Sequence, residues 1–447
     1  MKAIVVGSYS KHLTGGASAG WQVFESLFAR RGYTFVHWYC GPKVGDYRLP
    51  FLTTDSFAGD AGAEDVIDSS RLAGWKQCMA ASWQCYRDPD AEAMLFVRQS
   101  RRLFEAIRPA AFFGWNTLES RFGVAGDVAR SLGIPVYSFE RGFLPDSFRW
   151  DRFNAALPTE RRLPMTAGDE RTGADLLGRV ELAETRHHPV RPDDGARSGI
   201  ERWLRPHGRT RILVVGVCES DLAATPDGPE KKLMLPGFRD SLDIAGTLAA
   251  SGRYAVLYKP HPLQRRAAWR SVPRGVDVAE GDPLRLIEAA DCVVAPSTKL
   301  EGCVLLLDKP LVTIGRGFLS VEGLSQPCWR RDEIENAVDT AVGEHRPGRS
   351  RPMLAAALGS LHRNEWLLLA GRHAGAHNTA AVVERLAEEI ESAGAAGDLL
   401  VPPGRLGGLV AAYASDRLEQ MDNRERRRDL EWGSRIVARI RRLRRRW

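Results

Sequence analysis

The sequence has no run approaching the roughly 20 apolar residues that a membrane-spanning helix requires. Its first apolar stretch, Met1 to Gly7, is too short and too soon interrupted by glycine to be a secretory signal. Together the two absences predict a protein that stays in the cytoplasm.

Paired cysteines are also lacking, because the seven cysteines are scattered and no Cys-x-x-Cys occurs. An odd number without close pairs indicates neither a disulfide framework nor a zinc site. Isolated cysteines in apolar runs, such as Cys292, are typically small core residues. We therefore expect no metal site and interpret all seven as structural or incidental.

The positive charge is not spread over the chain. The formal net charge is +7, and seven arginines without any acid lie within residues 434–447. Without them the counts of basic and acidic residues are equal, so the charge belongs to the tail.

The pattern of apolar residues predicts two α/β units. At 447 residues the chain exceeds what one hydrophobic core usually holds. Short apolar strands alternate with amphipathic helices in 1–190 and again in 209–375, with a polar Pro/Gly/Arg-rich linker between. We expect two doubly wound Rossmann-type domains facing a cleft. Residues 376–433 are predicted as a helical extension, and 434–447 as a basic amphipathic helix.

The motif Tyr258-Lys-Pro-His-Pro262 directly follows a predicted strand. Each proline removes a backbone donor, so the strand must end there. Lys259 and His261 would then lie at the carboxyl edge of a sheet, where a cation and an imidazole donor suit a phosphate. The alternative is a rigid turn whose histidine only packs.

A second motif ends a strand at Pro296 and continues Ser297-Thr298-Lys299-Leu-Glu301. Hydroxyls and free amides at the start of the following helix would form an anion site. A plain helix cap is the alternative. We place both motifs on successive strands of one domain, so together they could bind one monophosphate or diphosphate.

Three carboxylates also follow predicted strands. Glu140, before Arg141 and Gly142, is suited to general acid or base chemistry, or else pairs with Arg141 or another arginine. Glu219 and Asp221 lie two residues apart in the loop after the first strand of the second domain. One of them could be a nucleophile or base; otherwise both are solvated loop acids.

Five blocks of sequence, in order, resemble those of bacterial capsule polysaccharide synthesis proteins, the Kdo transferases of the capsule lipid-linker pathway. They run from about residue 110 to 327 and are Phe112-Phe-Gly-Trp-Asn116 with Ala129–Val136, Phe139–Pro158, Ile212–Asp221, Lys259–Pro262, and Lys309–Ser325.

The resemblance implies a GT-B fold, a CMP-activated 3-deoxy-2-ulosonic acid donor such as CMP-Kdo, no cofactor or metal, and retention of anomeric configuration. It implies that Asp221 is the nucleophile, Glu140 the acid/base, and that His261, Ser297 and Thr298 hold the phosphate. We add five residues to these. Lys259, Pro262 and Glu219 are donor-binding candidates, and Glu301 and Gly142 are further candidate site residues.

The chain departs from the family pattern at two places. The family usually has a glutamine at or near the position of Val217-Cys218, and this chain has none there. The family also has a glutamate near the position of Cys303, whereas here the glutamate, Glu301, lies two residues earlier. The motif order is also similar to that of teichoic-acid glycerophosphotransferases, which use a CDP-alcohol. The alternatives are therefore a CDP-glycerol-type phosphotransferase, or a non-catalytic GT-B-shaped protein that binds membrane or polysaccharide.

The tail combines an apolar stripe with arginines. Ile436, Val437, Ile440, Leu443 and Trp447 share one helical face, and the arginines, among them Arg439, Arg442 and Arg446, occupy the rest. Each arginine near an anionic leaflet contributes about 1 kcal/mol. The tail therefore predicts peripheral binding to the cytoplasmic membrane face, rather than a solvated or nucleic-acid-binding tail. The expected partners are a nucleotide sugar, a lipid or glycan acceptor and an anionic membrane, with no nucleic acid.

Overall fold

The chain is described by a computed structural model over residues 2–8, 24–40, 51–53, 66–81, 88–141, 147–151, 165–178, 197–205, 208–218, 234–262, 271–279, 281–317, 319–321, 323–364, 367–369, 379–393 and 409–412.

The first sheet has eight strands in the order β13-β6-β5-β4-β1-β2-β14-β3. Their bounds are β1 Lys2–Ser8, β2 Tyr33–Cys40, β3 Phe51–Thr53, β4 Ala111–Trp115, β5 Val136–Arg141, β6 Ser147–Asp151, β13 Leu367–Leu369 and β14 Leu409–Ala412. All pairs are parallel except those of β6 with β5 and β13. The fully buried strand β4 explains why its sequence is apolar throughout rather than alternating.

Helices of the first unit are α1 at 24–30, α2 Ser69–Ala81, α3 Pro89–Ile107 and α4 Ser120–Ser131. Local signals set the ends of α3. Asp88 accepts from the backbone N of Ala91, Pro89 occupies the first turn, and Arg108 ends the helix in the left-handed region. Aromatic side chains fill the core between helices and sheet, with Phe113 in edge-to-face contact with Phe28 and Tyr137.

The second sheet has six parallel strands in the order β12-β11-β10-β7-β8-β9. Their bounds are β7 Thr210–Val215, β8 Tyr254–Lys259, β9 Val276–Val278, β10 Cys292–Pro296, β11 Leu311–Ile314 and β12 Gln326–Cys328. Counted from its first strand, this is the 3-2-1-4-5-6 order of dinucleotide-binding folds. The strand order reverses between β7 and β10, so the ligand crevice is expected beyond their carboxyl ends.

The second unit is packed by helices on both sides of its sheet. They are α5 Ala167–Gly178, α6 Arg197–Leu204, α7 Ser241–Ala250, α8 Pro283–Ala289, α9 Leu300–Leu306, α10 Ile334–Glu344 and α11 Ser350–Asn364. Helix α5 opens with a capping box, in which Thr166 N donates to Asp169 Oδ2 at 2.7 Å and Asp169 N donates to Thr166 Oγ1 at 3.3 Å.

Helices α5 and α11 cross with their backbones in contact. A Cβ atom on Gly173 would lie 1.7 Å from the carbonyl oxygen of Ala355, and one on Gly359 would lie 1.9 Å from that of Asp169. Only glycine permits so close an approach. Leucines beside the crossing, including Leu176 and Leu358, are buried in the second hydrophobic cluster.

After α11 the chain returns to the first unit. Strand β13 pairs with β6, and helix α12, Thr379–Ser392, buries Val382 and Leu386 in the first core. Arg31 Nη1 donates to Glu384 on α12 at 2.9 Å. The predicted helical extension thus contains α12 and also the unpredicted strand β14. The predicted domain bounds remain predictions, and packing adds that α5 lies with the second core.

The predicted fold class is confirmed: the protein is α/β, with two doubly wound Rossmann-type units in a GT-B-like arrangement. The apolar runs Tyr254–Lys259, Val276–Val278 and Leu311–Ile314 predict strands with these bounds, which β8, β9 and β11 have. Helices α2, α5, α10 and α11 were not predicted. Within the described parts of the chain, no helix combines the length and apolar character needed to cross a membrane.

Candidate active site

The carboxyl edge of the second sheet brings three loops to one level. Val215 of β7 is in register with Lys259 of β8, and Val294 of β10 is in register with Val214. The segments 216–218, 260–262 and 297–299 therefore follow their strands at the same edge. The prediction that the two motifs lie on successive strands is wrong, because β9 comes between β8 and β10 along the chain and β7 lies between them in the sheet.

The His-Pro motif forms the predicted turn. Strand β8 ends at Lys259, before Pro260, and Lys259 is 6% exposed with its Nζ 3.5 Å from the carbonyl oxygen of Pro260. His261 and Pro262 are half-buried. Lys259 and His261, the two predicted phosphate-binding side chains, therefore lie at the carboxyl edge of the sheet, where the ligand crevice is expected.

Gly216 is a site residue that sequence reasoning missed. Its backbone N donates to the carbonyl oxygen of Lys259 at 2.7 Å. A Cβ atom there would lie 2.7 Å from the Tyr258 hydroxyl and 2.9 Å from His261 N. The glycine thus lets the loop after β7 lie directly against the His-Pro turn. The signal was a glycine at the end of a predicted strand.

A buried pair of hydroxyl groups, from Ser241 and Tyr258, lies beneath the loops that follow β7 and β8 and connects them. Ser241 Oγ and Tyr258 Oη are 2.9 Å apart, and Val217 N donates to Ser241 Oγ at 3.4 Å. Ser241 is the first residue of α7, which Asp240 caps by accepting from Asp243 N. The start of α7 therefore fixes the loop that leads toward Glu219 and Asp221.

The second motif turns sharply after β10. Ser297 has a φ of 28°, a left-handed conformation that serine rarely adopts. Thr298 N donates to Glu301 Oε1 at 2.9 Å, and Leu300 N donates to Thr298 Oγ1 at 3.4 Å. The helix cap falls on Lys299, after Ser297 and Thr298, which were expected at the start of the helix.

Glu301 is a loop anchor rather than a cleft residue. Its side chain is fully buried, and its carboxylate accepts from the backbone N of Thr298 and of Leu319. The loops after β10 and β11 are thereby joined. Cys303 lies on the same helix and is buried in the second core.

Glu140 and Lys299 join the two units. The Nζ of Lys299 donates to Glu140 Oε1 at 2.9 Å, with side-chain exposures of 22% and 16%. Glu140 lies near the end of β5, on the carboxyl edge of the first sheet. Its carboxylate thus forms an ion pair with a lysine of the other unit. The two carboxyl edges face each other here, as the predicted cleft requires.

The two units share a local backbone feature. Asn116 directly follows β4, and Ser297 directly follows β10; both strands lie next to the first strand of their unit, β1 or β7. Asn116 has a φ of 38°, close to that of Ser297. Left-handed non-glycine residues cluster at functional sites. The two residues therefore occupy equivalent positions, each directly after the strand that pairs with the first strand of its unit.

Several predicted site residues lie outside the described parts of the chain. They are Glu219, Asp221, Gly142 and the tail residues Arg439, Arg442, Arg446 and Trp447. Within the described ranges, no group of three or more His, Cys, Asp or Glu side chains is placed to hold a metal ion.

Comparison with known proteins gives structural likenesses at low identity. No family model matches the chain, and no curated protein matches it by sequence. A β-Kdo 2,4 transferase, KpsC of Thermosulfurimonas dismutans, is 17% identical, with 56% of this chain and 79% of that chain covered and a TM-score of 0.34. The glycosyltransferase of kitacinnamycin is also 17% identical, with 88% and 98% covered and a TM-score of 0.28.

A third solved structure is an epimerase. The UDP-GlcNAc 2-epimerase of Neisseria meningitidis, bound to UDP-GlcNAc, is 11% identical, with 87% and 100% covered and a TM-score of 0.32. Such low TM-scores give no ground for transferring an activity. The class defined by fold and site is a two-unit α/β protein with a polar cleft between the carboxyl edges of its sheets.

Proposed function

We propose that the protein is a glycosyltransferase that moves a Kdo-like 3-deoxy-2-ulosonic acid from its CMP ester to a lipid or glycan acceptor in capsule or surface polysaccharide synthesis. The observation that carries this proposal is the contact of Glu140 with Lys299 across the cleft. It brings a carboxylate from one unit to the crevice of the other, where open α/β sheets bind ligands.

The second unit supplies the donor site in this proposal. Lys259 ends β8 and His261 follows it, while Ser297 and Thr298 follow β10; the two strands lie on either side of β7. Their cation, imidazole and hydroxyl groups would offset the charge that develops on the CMP phosphate as it leaves. The protein's own side chains would fill this role without a resident cofactor or metal. Pro262 and Gly216 would set the shape of the turn.

The proposed chemistry has two displacements, consistent with retention of configuration. Asp221 would attack the anomeric carbon while the bond between that carbon and the phosphate oxygen breaks. This step would release CMP and form a glycosyl ester with the Asp221 carboxylate. An acceptor hydroxyl oxygen would then displace Asp221, and its proton would pass to Glu140. Glu140 accepts a hydrogen bond from Lys299, and since a carboxylate can accept several hydrogen bonds, the acceptor hydroxyl could bind there as well.

We propose that the enzyme acts at the cytoplasmic face of the inner membrane. A lipid-linked acceptor would be met there by an enzyme held through residues 434–447. We expect the full chain to sediment with vesicles containing anionic lipid, and a chain lacking 434–447 to remain in solution. Equal sedimentation of both would refute the role of the tail. Tight, salt-sensitive binding of the tail to duplex DNA would instead indicate nucleic acid.

The donor is tested by calorimetric titration with CMP, CDP and UDP. We expect CMP to bind, and His261→Ala to weaken that binding by about tenfold, the loss of one charge-assisted hydrogen bond. His345→Ala is a matched control, because His345 follows α10 near Asp308 at the opposite edge of the sheet. Preference for UDP, or no effect of His261→Ala, would refute the donor assignment.

Turnover separates the chemical alternatives. We expect turnover of CMP-Kdo and its loss in Asp221→Ala. Turnover of CDP-glycerol without turnover of CMP-Kdo would indicate the phosphotransferase alternative. Absence of any nucleotide binding would indicate a non-catalytic protein.

A further inference from the structure

We propose that Lys299 is a phosphate-binding residue that exchanges its partner: it is paired with Glu140 while the cleft is free of ligand, and binds the donor phosphate when the nucleotide enters. This inference rests on the proposed function and adds a residue to its donor site. The carboxylate of Glu140 and the phosphate would therefore compete for one ammonium group.

The position of Lys299 supports the exchange. It follows β10 by two residues, beside the crevice between β7 and β10. The left-handed turn at Ser297 directs the chain away from the strand at this point. A ligand in the crevice would lie beside the Lys299 side chain, which is 22% exposed and can be reached from solvent.

Two acids lie near Lys299, Glu301 and Glu140, and their contacts show which of them a phosphate can replace as the partner of Lys299. Glu301, two residues from Lys299, is buried and accepts two backbone N–H bonds, so it serves the loops. Glu140 comes from the other unit and accepts from Lys299 at 2.9 Å. An ammonium group carries three donors and binds phosphate as a point charge. Lys259, on the other side of β7, is buried against the His-Pro turn and adds a second positive charge.

The exchange gives the two partners opposite effects on nucleotide affinity. Removing the Lys299 charge removes a bond to the phosphate, so binding should weaken. Neutralising Glu140 removes the competitor, so binding should strengthen. A role in structure alone would give both substitutions the same sign. The opposite signs should also vanish with a ligand that has no phosphate.

The test is titration calorimetry with CMP and with cytidine on the full chain. We expect Lys299→Gln to lower CMP affinity by about tenfold to hundredfold, the range of one charged hydrogen bond. Glu140→Gln should raise it by roughly threefold to tenfold, and this gain should disappear in the double variant. Neither variant should change cytidine affinity by more than about twofold.

A matched control removes a carboxylate elsewhere. Glu335→Gln neutralises the exposed partner of Arg253, which lies 3.2 Å away on the second unit, and it should leave CMP affinity unchanged. Lys299→Arg keeps the charge and should bind CMP within about threefold of the natural protein. Thermal unfolding of each variant checks the fold, and Glu140→Gln decides the question if Lys299→Gln does not fold.

The outcomes separate this inference from the proposed function. If CMP binds and Glu140→Gln weakens or does not change its binding, the exchange is wrong while the donor site stands. If Lys299→Gln binds CMP as well as the natural protein, the exchange is again wrong. If CMP, CDP, UMP and UDP all fail to bind, the proposed function falls, and the exchange falls with it.

Discussion

The crossing of helices α5 and α11 predicts a large effect for one added methyl group. In Gly359→Ala the new Cβ atom would lie 1.9 Å from the carbonyl oxygen of Asp169 and 2.5 Å from its carbonyl carbon. Both atoms are backbone, so no side chain can rotate away. The helices must separate by about 1.5 Å before this contact becomes an ordinary one.

The magnitude follows from what that separation loosens. Leu176, Leu354 and Leu358 are buried beside the crossing. A gap of 0.5–1 Å forfeits about a quarter to a half of each dispersion contact, and overpacking typically costs about 1–3 kcal/mol or more. Alanine in place of glycine returns about 1 kcal/mol of helix propensity. We expect a net loss of about 2 kcal/mol, or roughly 4–8 °C in the unfolding midpoint.

The assay is thermal unfolding followed by circular dichroism, with Gly343→Ala as the control. Gly343 lies in helix α10, and a Cβ atom there meets nothing within 4 Å, so this variant should be as stable as the natural protein or up to about 1 kcal/mol more stable. If Gly359→Ala unfolds at or above the midpoint of the natural protein, the backbone contact between α5 and α11 is refuted.

Three further predictions concern single side chains of the second unit. Burial raises the pKa of the Cys292 thiol to about 12, so iodoacetamide at pH 8 should leave Cys292 unmodified in the folded protein and label it in urea, as mass spectrometry would show. Burial alone would raise the pKa of Asp291, but hydrogen bonds from Arg211 hold it below its usual range. Because the pKa of Asp291 is lower in the folded protein, its ion pair stabilises the fold above about pH 4, and this stabilisation is lost as the pH falls further. In Asp291→Asn the unfolding midpoint should therefore be lower at pH 7 and depend less on acid. An unchanged dependence on acid would refute this role of Asp291. Glu301→Gln would place an amide N–H₂ group against a backbone N–H that the carboxylate now accepts. We expect the free energy of unfolding to fall by about 1–3 kcal/mol and CMP to bind more weakly. An unchanged free energy of unfolding and unchanged CMP affinity would refute the anchoring role.

The strands of the second sheet could be predicted because their signals are local. Strand β8 is apolar along its length and ends where Pro260 removes a backbone donor, so both of its bounds follow from neighbouring residues. The same holds for β10, which ends at Pro296. The edge that carries Lys259, His261 and Ser297 follows from parallel order alone.

Helices α5 and α11 could not be predicted in this way. Gly173 and Gly359 read as helix breakers within their segments, because an isolated helix loses about 1 kcal/mol at each glycine. The reason for them is tertiary: each accommodates the backbone of the other helix. A pattern within one helix does not contain the partner that explains it.

The central contact of the site was also beyond local patterns. Glu140 could be proposed as functional because it follows a predicted strand, but its partner Lys299 is 159 residues away along the chain. A local search favours the adjacent Arg141. Glu301 illustrates the converse, since its place two residues before Cys303 suggested a site residue and its burial makes it a loop anchor.

The position of β14 bears on how the chain folds as it is made. This strand lies between β2 and β3, pairing Leu409 with both His37 and Phe51. At a synthesis rate of 5–20 residues per second, residue 409 leaves the ribosome roughly 20–70 s after β3. For that time the nascent sheet exposes the unpaired edge of β2, the kind of edge that recruits other chains. Chaperone binding to the nascent chain should therefore persist until the last strand of the first sheet has been synthesised.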